Sequence, residues 1–213
     1  MSIQQNEYLV PSGYGEAELI EKKSRFIGRV WPAQNEAEAQ EYIAQMRKQH
    51  WDATHNVFAY IVQNGAVVRF SDDGEPQGTS GLPALNVFKS ESVFNVCCVV
   101  TRYFGGTLLG AGGLVRAYSK SAKMALNAAG IALLREWNRI LIETPYNVYE
   151  KIRSAIEMHS GIIDSTQFTA NVLIEALLPA ASVDKFCRAV CDVSSGTVVP
   201  VVESTVLRSV KIR

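Results

Sequence analysis

The sequence lacks the features that mark a membrane or secreted protein. It has no run of about 18 apolar residues, which a membrane-spanning helix would need. Its N-terminal stretch, MSIQQNEYLVPSG, does not contain the apolar centre of a signal peptide. We therefore expect a cytoplasmic protein without a membrane span.

Net charge is also absent, because 21 Lys and Arg residues balance 21 Asp and Glu residues. Bulk attraction to nucleic acid is thereby excluded, and any such affinity must come from a local basic patch. The chain has four cysteines and three histidines, with no C-x-x-C pair and no histidine at ligand spacing. We predict no metal site and no cofactor. Cys97 and Cys98 are expected to be buried, reduced thiols that point to opposite faces of one strand.

One segment, Val99–Leu126, has the pattern of a strand, a glycine-rich loop and a helix that begins near Leu114. Glycine fills five of the nine positions from Gly105 to Gly113. A helix N-terminus binds anions, and glycine allows a ligand to approach the backbone closely. The spacing matches neither G-x-x-x-x-G-K-[ST] nor G-x-G-x-x-G, and the same glycines could form no more than a tight connection.

Basic residues accompany this loop. Arg116, Lys120 and Lys123 fall on one side of the predicted helix, and residues 92–135 contain five basic residues and no acidic one. Together with Arg102 they are predicted to form one anion-binding surface. A second cluster lies on or next to an early strand, at Lys22, Lys23 and Arg25, although charges at a sheet edge can also serve only to prevent aggregation.

The predicted anion- or nucleic-acid-binding site therefore combines the basic residues, the loop glycines, one aromatic residue and one histidine. No catalytic residue is assigned. His55 could instead be a structural residue that is held by hydrogen bonds. The predicted site consists of Lys22, Lys23, Arg25, His55, Arg102, Tyr103, Gly105, Gly106, Gly110, Gly112, Gly113, Arg116, Lys120 and Lys123.

Three carboxylates, Asp72, Asp73 and Glu75, occupy a glycine- and proline-bounded segment. They could bind Mg²⁺, which prefers oxygen ligands, or they could form a turn. With His55 as acid or base, the Mg²⁺ interpretation would suit an enzyme acting on a small phosphorylated substrate. The sequence offers no nucleophile and no nucleotide-binding motif for such an enzyme.

The order of elements predicts an α+β chain with two domains, residues 1–135 and 136–213. Residues 1–13 are expected to be a loosely docked lead-in. The second half has the order βαββαβ, which fits a ferredoxin-like domain, with 205–212 expected as its last core strand.

With these residues laid out, the chain resembles the IMPACT family, and within it the bacterial two-domain proteins of the YigZ/YvyE type. The resemblance is strong in the N-terminal half; in the C-terminal half it rests on domain order alone. Val57 departs from the family pattern, where some relatives have cysteine. The matching blocks are Lys23-Ser24-Arg25-Phe26, the His55 strand ending in Ala59-Tyr60, Phe70-Ser71-Asp72-Asp73-Gly74-Glu75-Pro76, Arg102-Tyr103-Phe104-Gly105-Gly106 and Leu109-Gly110-Ala111-Gly112-Gly113-Leu114-Val115.

The resemblance implies a ribosomal-protein domain-2-like fold for the first domain, as in domain IV of elongation factor G. It implies a ferredoxin-like second domain, similar to domain V of that factor. It further implies a protein that binds RNA or ribosomes in translation regulation or a stress response, without an established enzyme activity. A protein partner in translation control, without direct RNA binding, is the alternative.

Overall fold

The structure, a computed structural model, describes residues 7–211, and this range contains ten strands and five α-helices. The strands are β1 (Tyr8–Pro11), β2 (Gly15–Glu21), β3 (Ser24–Pro32), β4 (His55–Val62), β5 (Val67–Ser71), β6 (Val96–Tyr103), β7 (Ile131–Thr144), β8 (Ile162–Phe168), β9 (Val172–Pro179) and β10 (Val201–Lys211). The helices are α1 (Glu36–Gln49), α2 (Gly81–Ser90), α3 (Ala111–Ala129), α4 (Tyr146–Met158) and α5 (Val183–Val193). None of the helices in this range is both long and apolar enough to cross a membrane.

These elements divide into two compact units. The first runs up to Leu134 and takes in the segment from Ser209, and the second is Arg135–Arg208. Strand β7 continues without a break through the boundary between them. Whether residues 1–135 and 136–213 fold as separate domains stays a prediction.

The first unit is built on an antiparallel sheet with the order β2-β3-β6-β4-β5. Strand β6 lies at its centre, as expected for a strand that is apolar on both faces. Cys97 packs in the cluster beneath α1, whereas Cys98 packs in the larger cluster beneath α2 and α3. The two thiols thus point to opposite faces, as predicted, and both faces of the sheet are covered by helices.

Helix α3 lies directly on strands β2 and β3. A Cβ placed on Gly28 would lie 2.5 Å from the Ser121 carbonyl oxygen, so the helix touches the backbone of the sheet there. The helix begins at Ala111 and not near Leu114 as the sequence suggested, because Gly110 caps it with a positive φ of 72° and accepts the Leu114 N–H at 3.0 Å. Gly112 and Gly113 therefore belong to the first helical turn.

The N-terminal segment is more ordered than predicted. Tyr8–Pro11 pairs antiparallel with the start of β7, with Tyr8 opposite Leu134 and Pro11 opposite Ile131. The expectation of a loose lead-in is therefore wrong for these residues, because the backbone there gains a hydrogen-bonded partner that no local pattern reveals. Residues 1–6 lie outside the described range.

The second unit has the predicted βαββαβ order, β7-α4-β8-β9-α5-β10. Its strands are arranged β10-β7-β9-β8, the order of a ferredoxin-like fold, and α4 and α5 supply Ile152 and Phe186 to the core. The ferredoxin-like prediction is confirmed. The expectation of a buried last strand is wrong, because β10 pairs with β7 at the edge of the sheet and leaves Leu207 exposed; Ile212 lies outside the described range.

Candidate anion-binding site

The predicted site residues gather at one end of the first sheet. In the strand register, Arg25 near the start of β3 lies opposite Tyr103 at the end of β6, and His55 at the start of β4 lies opposite Arg102. The β2–β3 turn, the segment before β4 and the glycine loop after β6 therefore emerge together. This convergence follows from antiparallel pairing around β6.

The β2–β3 turn consists of Lys22 and Lys23, since Glu21 pairs directly with Ser24. Their φ angles are 46° and 66°, in the left-handed region. A two-residue hairpin with positive φ at both positions normally carries Asn or Gly, and a left-handed lysine costs on the order of 1–3 kcal/mol. Two adjacent lysines are thus held in a strained conformation by their surroundings.

The glycine loop supplies part of that restraint. The Gly105 amide donates to Ser24 Oγ at 3.1 Å. Arg102 Nη2 also donates to the same hydroxyl, at 3.4 Å. Ser24, which was not among the predicted site residues, thereby joins the turn to the loop and to the end of β6.

A pocket of about 210 Å³, here called the basic pocket, lies between the turn and α3. No described side chain caps α3, and its first turn has no acidic residue, so its first N–H groups have no side-chain acceptor. Of that first turn, Gly113 lines the pocket. The pocket is lined by Leu19, Glu21, Lys22, Leu109, Gly113, Arg116, Ala117 and Lys120.

The single surface predicted for Arg102, Arg116, Lys120 and Lys123 is not formed. Lys123 forms an ion pair with Glu91, and Arg102 is buried, with only 5% of its surface exposed. In the other cluster, Arg25 is an exposed residue whose Nη2 lies 2.7 Å from Glu18 Oε2. These pairings remove three predicted cations from the pocket, and each partner is distant in the sequence or on the neighbouring strand.

Arg102 lies instead in a second pocket, here called the Glu75 cleft. Its Nη1 lies 2.5 Å from Glu75 Oε1, and the Tyr118 hydroxyl donates to the same oxygen at 2.7 Å. Burial, and then the charge of Glu75, raise the pKa of Tyr118, which keeps this hydroxyl protonated and donating. The cleft has a volume of about 420 Å³ and is lined by Thr54, His55, Gly74, Glu75, Pro76, Arg102, Phe104, Leu108, Leu109, Gly110, Ala111 and Leu114.

His55 also faces this cleft and not the basic pocket. Its Nδ1 lies 2.7 Å from the Asp73 carbonyl oxygen, which can only accept, so Nδ1 carries a proton and donates. Its Nε2 lies 3.8 Å from Glu75 Oε2. The hydrogen-bonded alternative considered for His55 therefore describes its Nδ1, while its Nε2 remains directed at a carboxylate.

Two exposed aromatic residues lie at this end of the sheet. Phe104 is 46% exposed, and the Arg102 guanidinium lies 5.5 Å from its ring centroid. Trp51, which the sequence analysis missed, is 83% exposed in the segment before β4. Tyr103 is less available for stacking, because its hydroxyl is 2.8 Å from His50 Nδ1.

The loop glycines have different roles. Gly106 and Gly110 have φ angles of 80° and 72°, which other residues rarely adopt. Gly112 has no such requirement, since a Cβ on it would make an ordinary contact 3.6 Å from Arg116 Nη1. The conformation at position 112 therefore does not require glycine.

The acidic segment that contains Asp72, Asp73 and Glu75 stabilises the local backbone through hydrogen bonds. Asp72 accepts from the backbone amides of Gly78, Ser80 and Gly81 and from the Ser80 hydroxyl. Burial would raise the pKa of Asp72, but these hydrogen bonds outweigh it and lower the pKa. Asp73 pairs with Arg47 and accepts from the Asn56 amide, so the three carboxylates do not converge on one point. Across residues 7–211 no three His, Cys, Asp or Glu side chains are grouped to hold a metal.

Comparison with known proteins agrees with this two-part organisation. Residues 22–126 match the model of the Impact N-terminal domain, and residues 142–197 match a domain of unknown function, DUF1949. The candidate site lies within the first match.

Similar proteins cover nearly the whole chain. The chain is 36% identical over 192 residues to IMPACT family member YvyE of Bacillus subtilis, covering 90% of this chain and 88% of that protein. It is 33% identical to IMPACT family member YigZ of Escherichia coli, covering 83% and 88%. A crystal structure described as a hypothetical protein superposes with a TM-score of 0.60 at 30% identity, covering 94% of this chain and 99% of that one. On this evidence the chain belongs to the IMPACT family.

Proposed function

We propose that this protein binds single-stranded RNA, free or within the ribosome, and acts in translation control. The observation that carries the proposal is the Lys22-Lys23 turn, which is held in left-handed conformations beside Arg116 and Lys120. The role in translation is the one that the family resemblance implies. Such a role would be exercised in the cytoplasm.

The strained turn supports a functional origin for this charge cluster. A solvated lysine has no need of a left-handed backbone, and two of them add a cost of several kcal/mol to folding. Lys22 lines the same pocket as Arg116 and Lys120, which adds like-charge repulsion that one nearby acid, Glu21, offsets only in part. An anion bound in the basic pocket would relieve that repulsion.

The surroundings favour a phosphate backbone over an isolated anion. The free N-terminus of α3 contributes backbone N–H groups, as helix termini do at phosphate sites. Phe104 and Trp51, both exposed at the same end of the sheet, offer flat surfaces on which unpaired bases can stack. Cations that track phosphates next to aromatic surfaces are the common arrangement for sequence-tolerant binding of single strands.

The test is binding of a fluorescein-labelled 12-nucleotide RNA of mixed sequence, followed by anisotropy at several salt concentrations. If Lys22, Lys23, Arg116 and Lys120 each neutralise one phosphate, log affinity falls against log salt with a slope of about −3. Lys120→Ala is expected to flatten the slope by about 0.7. Lys123→Ala is the matched control, because Lys123 lies on the same helix but is paired with Glu91.

Absence of binding at low salt, or equal effects of the two lysine variants, would contradict the proposal. The competing function would then be recognition of a protein partner in translation control. The exposed side chains of Trp51 and Leu108, 83% and 81% exposed, favour that second candidate. Crosslinking in cells, followed by identification of the attached RNA and protein, separates the two.

A further inference from the structure

We infer that one base of the bound RNA is splayed out of the strand and stacks on Phe104 inside the Glu75 cleft, and that Arg102 is the positioning residue that holds the Phe104 ring for this contact. The inference rests on the proposed function and adds to it a contact that carries no charge. It is carried by the contacts that fix Phe104 while nearly half of its surface, 46%, stays exposed.

Phe104 is held by three contacts although it belongs to a loop. Its backbone amide donates to the Thr54 hydroxyl at 3.0 Å, and the next amide, that of Gly105, donates to Ser24 Oγ. The Arg102 guanidinium carbon lies over the Phe104 ring, 5.5 Å from its centroid. One side of the ring is thus supported by protein while the rest is open. An aromatic ring that is fixed before binding loses little conformational entropy when a ligand covers it.

Arg102 can hold this ring because its own position is fixed. Its guanidinium carbon also lies 5.3 Å from the centroid of the Phe26 ring in the core. Its Nη1 pairs with Glu75 Oε1, which accepts the Tyr118 hydroxyl as well. Arg102 is only 5% exposed, so its contribution to RNA binding is to position Phe104.

The Glu75 cleft has the size and the walls that suit a base. Its volume of about 420 Å³ lies in the range of small-ligand sites. Leu108, Leu109 and Leu114 line it together with Phe104, so much of its wall is apolar. Every base has a π-face that can stack on an aromatic ring, so we expect this contact to accept any of the four bases.

The position of the cleft next to the basic pocket allows one strand to occupy both. Leu109 lines both pockets, and helix α3 contributes Leu114 to the cleft and Gly113 to the basic pocket. A strand whose phosphate occupies the basic pocket can thus place a neighbouring base in the cleft. Splayed-out bases that stack on aromatic side chains are common where proteins bind single-stranded RNA.

The test compares two fluorescein-labelled strands by anisotropy: the 12-nucleotide RNA of mixed sequence and the same ribose-phosphate chain without bases. Phe104→Ala is expected to weaken RNA binding about tenfold, the order that one stacked base contributes, and to leave the affinity for the abasic strand within about twofold. The salt slope should stay that of the unaltered chain, since no phosphate contact is lost. Phe104→Trp should keep the affinity for RNA. Phe168→Ala is the matched control, because that ring is 60% exposed but belongs to the second unit.

Arg102→Lys tests the positioning role. Lysine keeps a positive charge beside Glu75 but lacks the planar group that lies over the Phe104 ring. We expect RNA binding to weaken about fivefold, with the abasic strand again unaffected. The double variant with Phe104→Ala should bind RNA no more weakly than Phe104→Ala alone, since both changes remove the same contact. Urea unfolding verifies that the variants are folded under the assay conditions.

Each contrary outcome bears on one claim. Equal weakening of both strands by Phe104→Ala, or no weakening of either, overturns the base contact and leaves RNA binding standing. Losses from Phe104→Ala and Arg102→Lys that add in the double variant overturn the positioning role alone. Failure of the RNA to bind at low salt overturns the proposed function, and the inference falls with it.

Discussion

Gly105 lies against the backbone of Lys23 so closely that a Cβ on Gly105 would sit 2.0 Å from the Lys23 carbonyl carbon. No side chain fits there, and the obstacle is main chain that cannot rotate away. The position of the two turn lysines therefore depends on the absence of a side chain some eighty residues later in the sequence.

Gly105→Ala is expected to lower the free energy of unfolding by about 2 kcal/mol or more, because the new methyl group must push the turn and the loop apart. Urea unfolding measures this loss, and the anisotropy assay should show weaker RNA binding. Gly112→Ala is the control: its Cβ has room, and alanine in a helix is favoured over glycine by about 0.5–1 kcal/mol. Equal stability of the two variants would contradict the close contact.

Arg102→Leu should lower the free energy of unfolding far more than Arg25→Leu does. Removing Arg102 leaves the buried Glu75 carboxylate without its cation, which costs about 3 kcal/mol or more. Arg25 pairs with Glu18 in solvent, where such pairs contribute less than about 1 kcal/mol. Denaturant unfolding of both variants under one condition gives the comparison. A loss below 1 kcal/mol for Arg102→Leu would show that the pair is not buried as described.

Stability should fall in alkaline solution because of the two buried thiols. Burial raises the pKa of Cys97 to about 12 and raises the pKa of Cys98 as well, whereas unfolded cysteine titrates near about 8.5. The unfolded chain therefore loses protons first as the pH rises. The free energy of unfolding is fully retained below about pH 8.5 and then falls by about 1.4 kcal/mol per pH unit for each thiol.

Urea unfolding at pH 8 to 9.5 under reducing conditions measures that slope. Cys97→Ala should reduce it by about half, since one of the two buried thiols is gone. Cys191→Ala, at an exposed position, should keep the slope of the unaltered chain. A flat profile between these pH values would mean that the buried thiols do not control alkaline stability.

Residues 1–135, expressed alone, are expected to fold cooperatively and to keep most of the RNA affinity. This range contains every residue of the basic pocket and of the Glu75 cleft. Circular dichroism with urea unfolding tests the folding, and anisotropy tests the binding. The domain assignment fails if the fragment is unfolded, or if binding is found instead with residues 136–213.

The local sequence pattern was sufficient to predict much of the fold. The glycine run between Tyr103 and Leu114 predicted a strand, a loop and a helix, and the spacing of apolar residues in the second half predicted βαββαβ. Such periodicities arise from neighbours in the sequence, which is why they can be read from it. The start of α3 was predicted less accurately, because the conformation of Gly110, and not the apolar pattern, decides where this helix begins.

Charge pairing could not be read in the same way. Arg102 meets Glu75 from 27 residues away, and Lys123 meets Glu91 from 32 residues away. Both cations looked available for a phosphate because the local sequence around each contains no acid. The left-handed turn was also missed, because such turns usually contain Asn, Asp or Gly, whereas its two positions here are Lys22 and Lys23.

The close contact between Gly28 and Ser121 limits which substitutions the protein tolerates at the interface of α3 and the sheet. Helix α3 rests on bare main chain there, so it can neither slide along the sheet nor turn on its axis without a collision. The spacing between the charges of α3 and the lysine turn is thus set by a buried position that has no charge and touches no ligand. In a scan of random variants for altered RNA recognition, Gly28 should emerge among the sensitive positions.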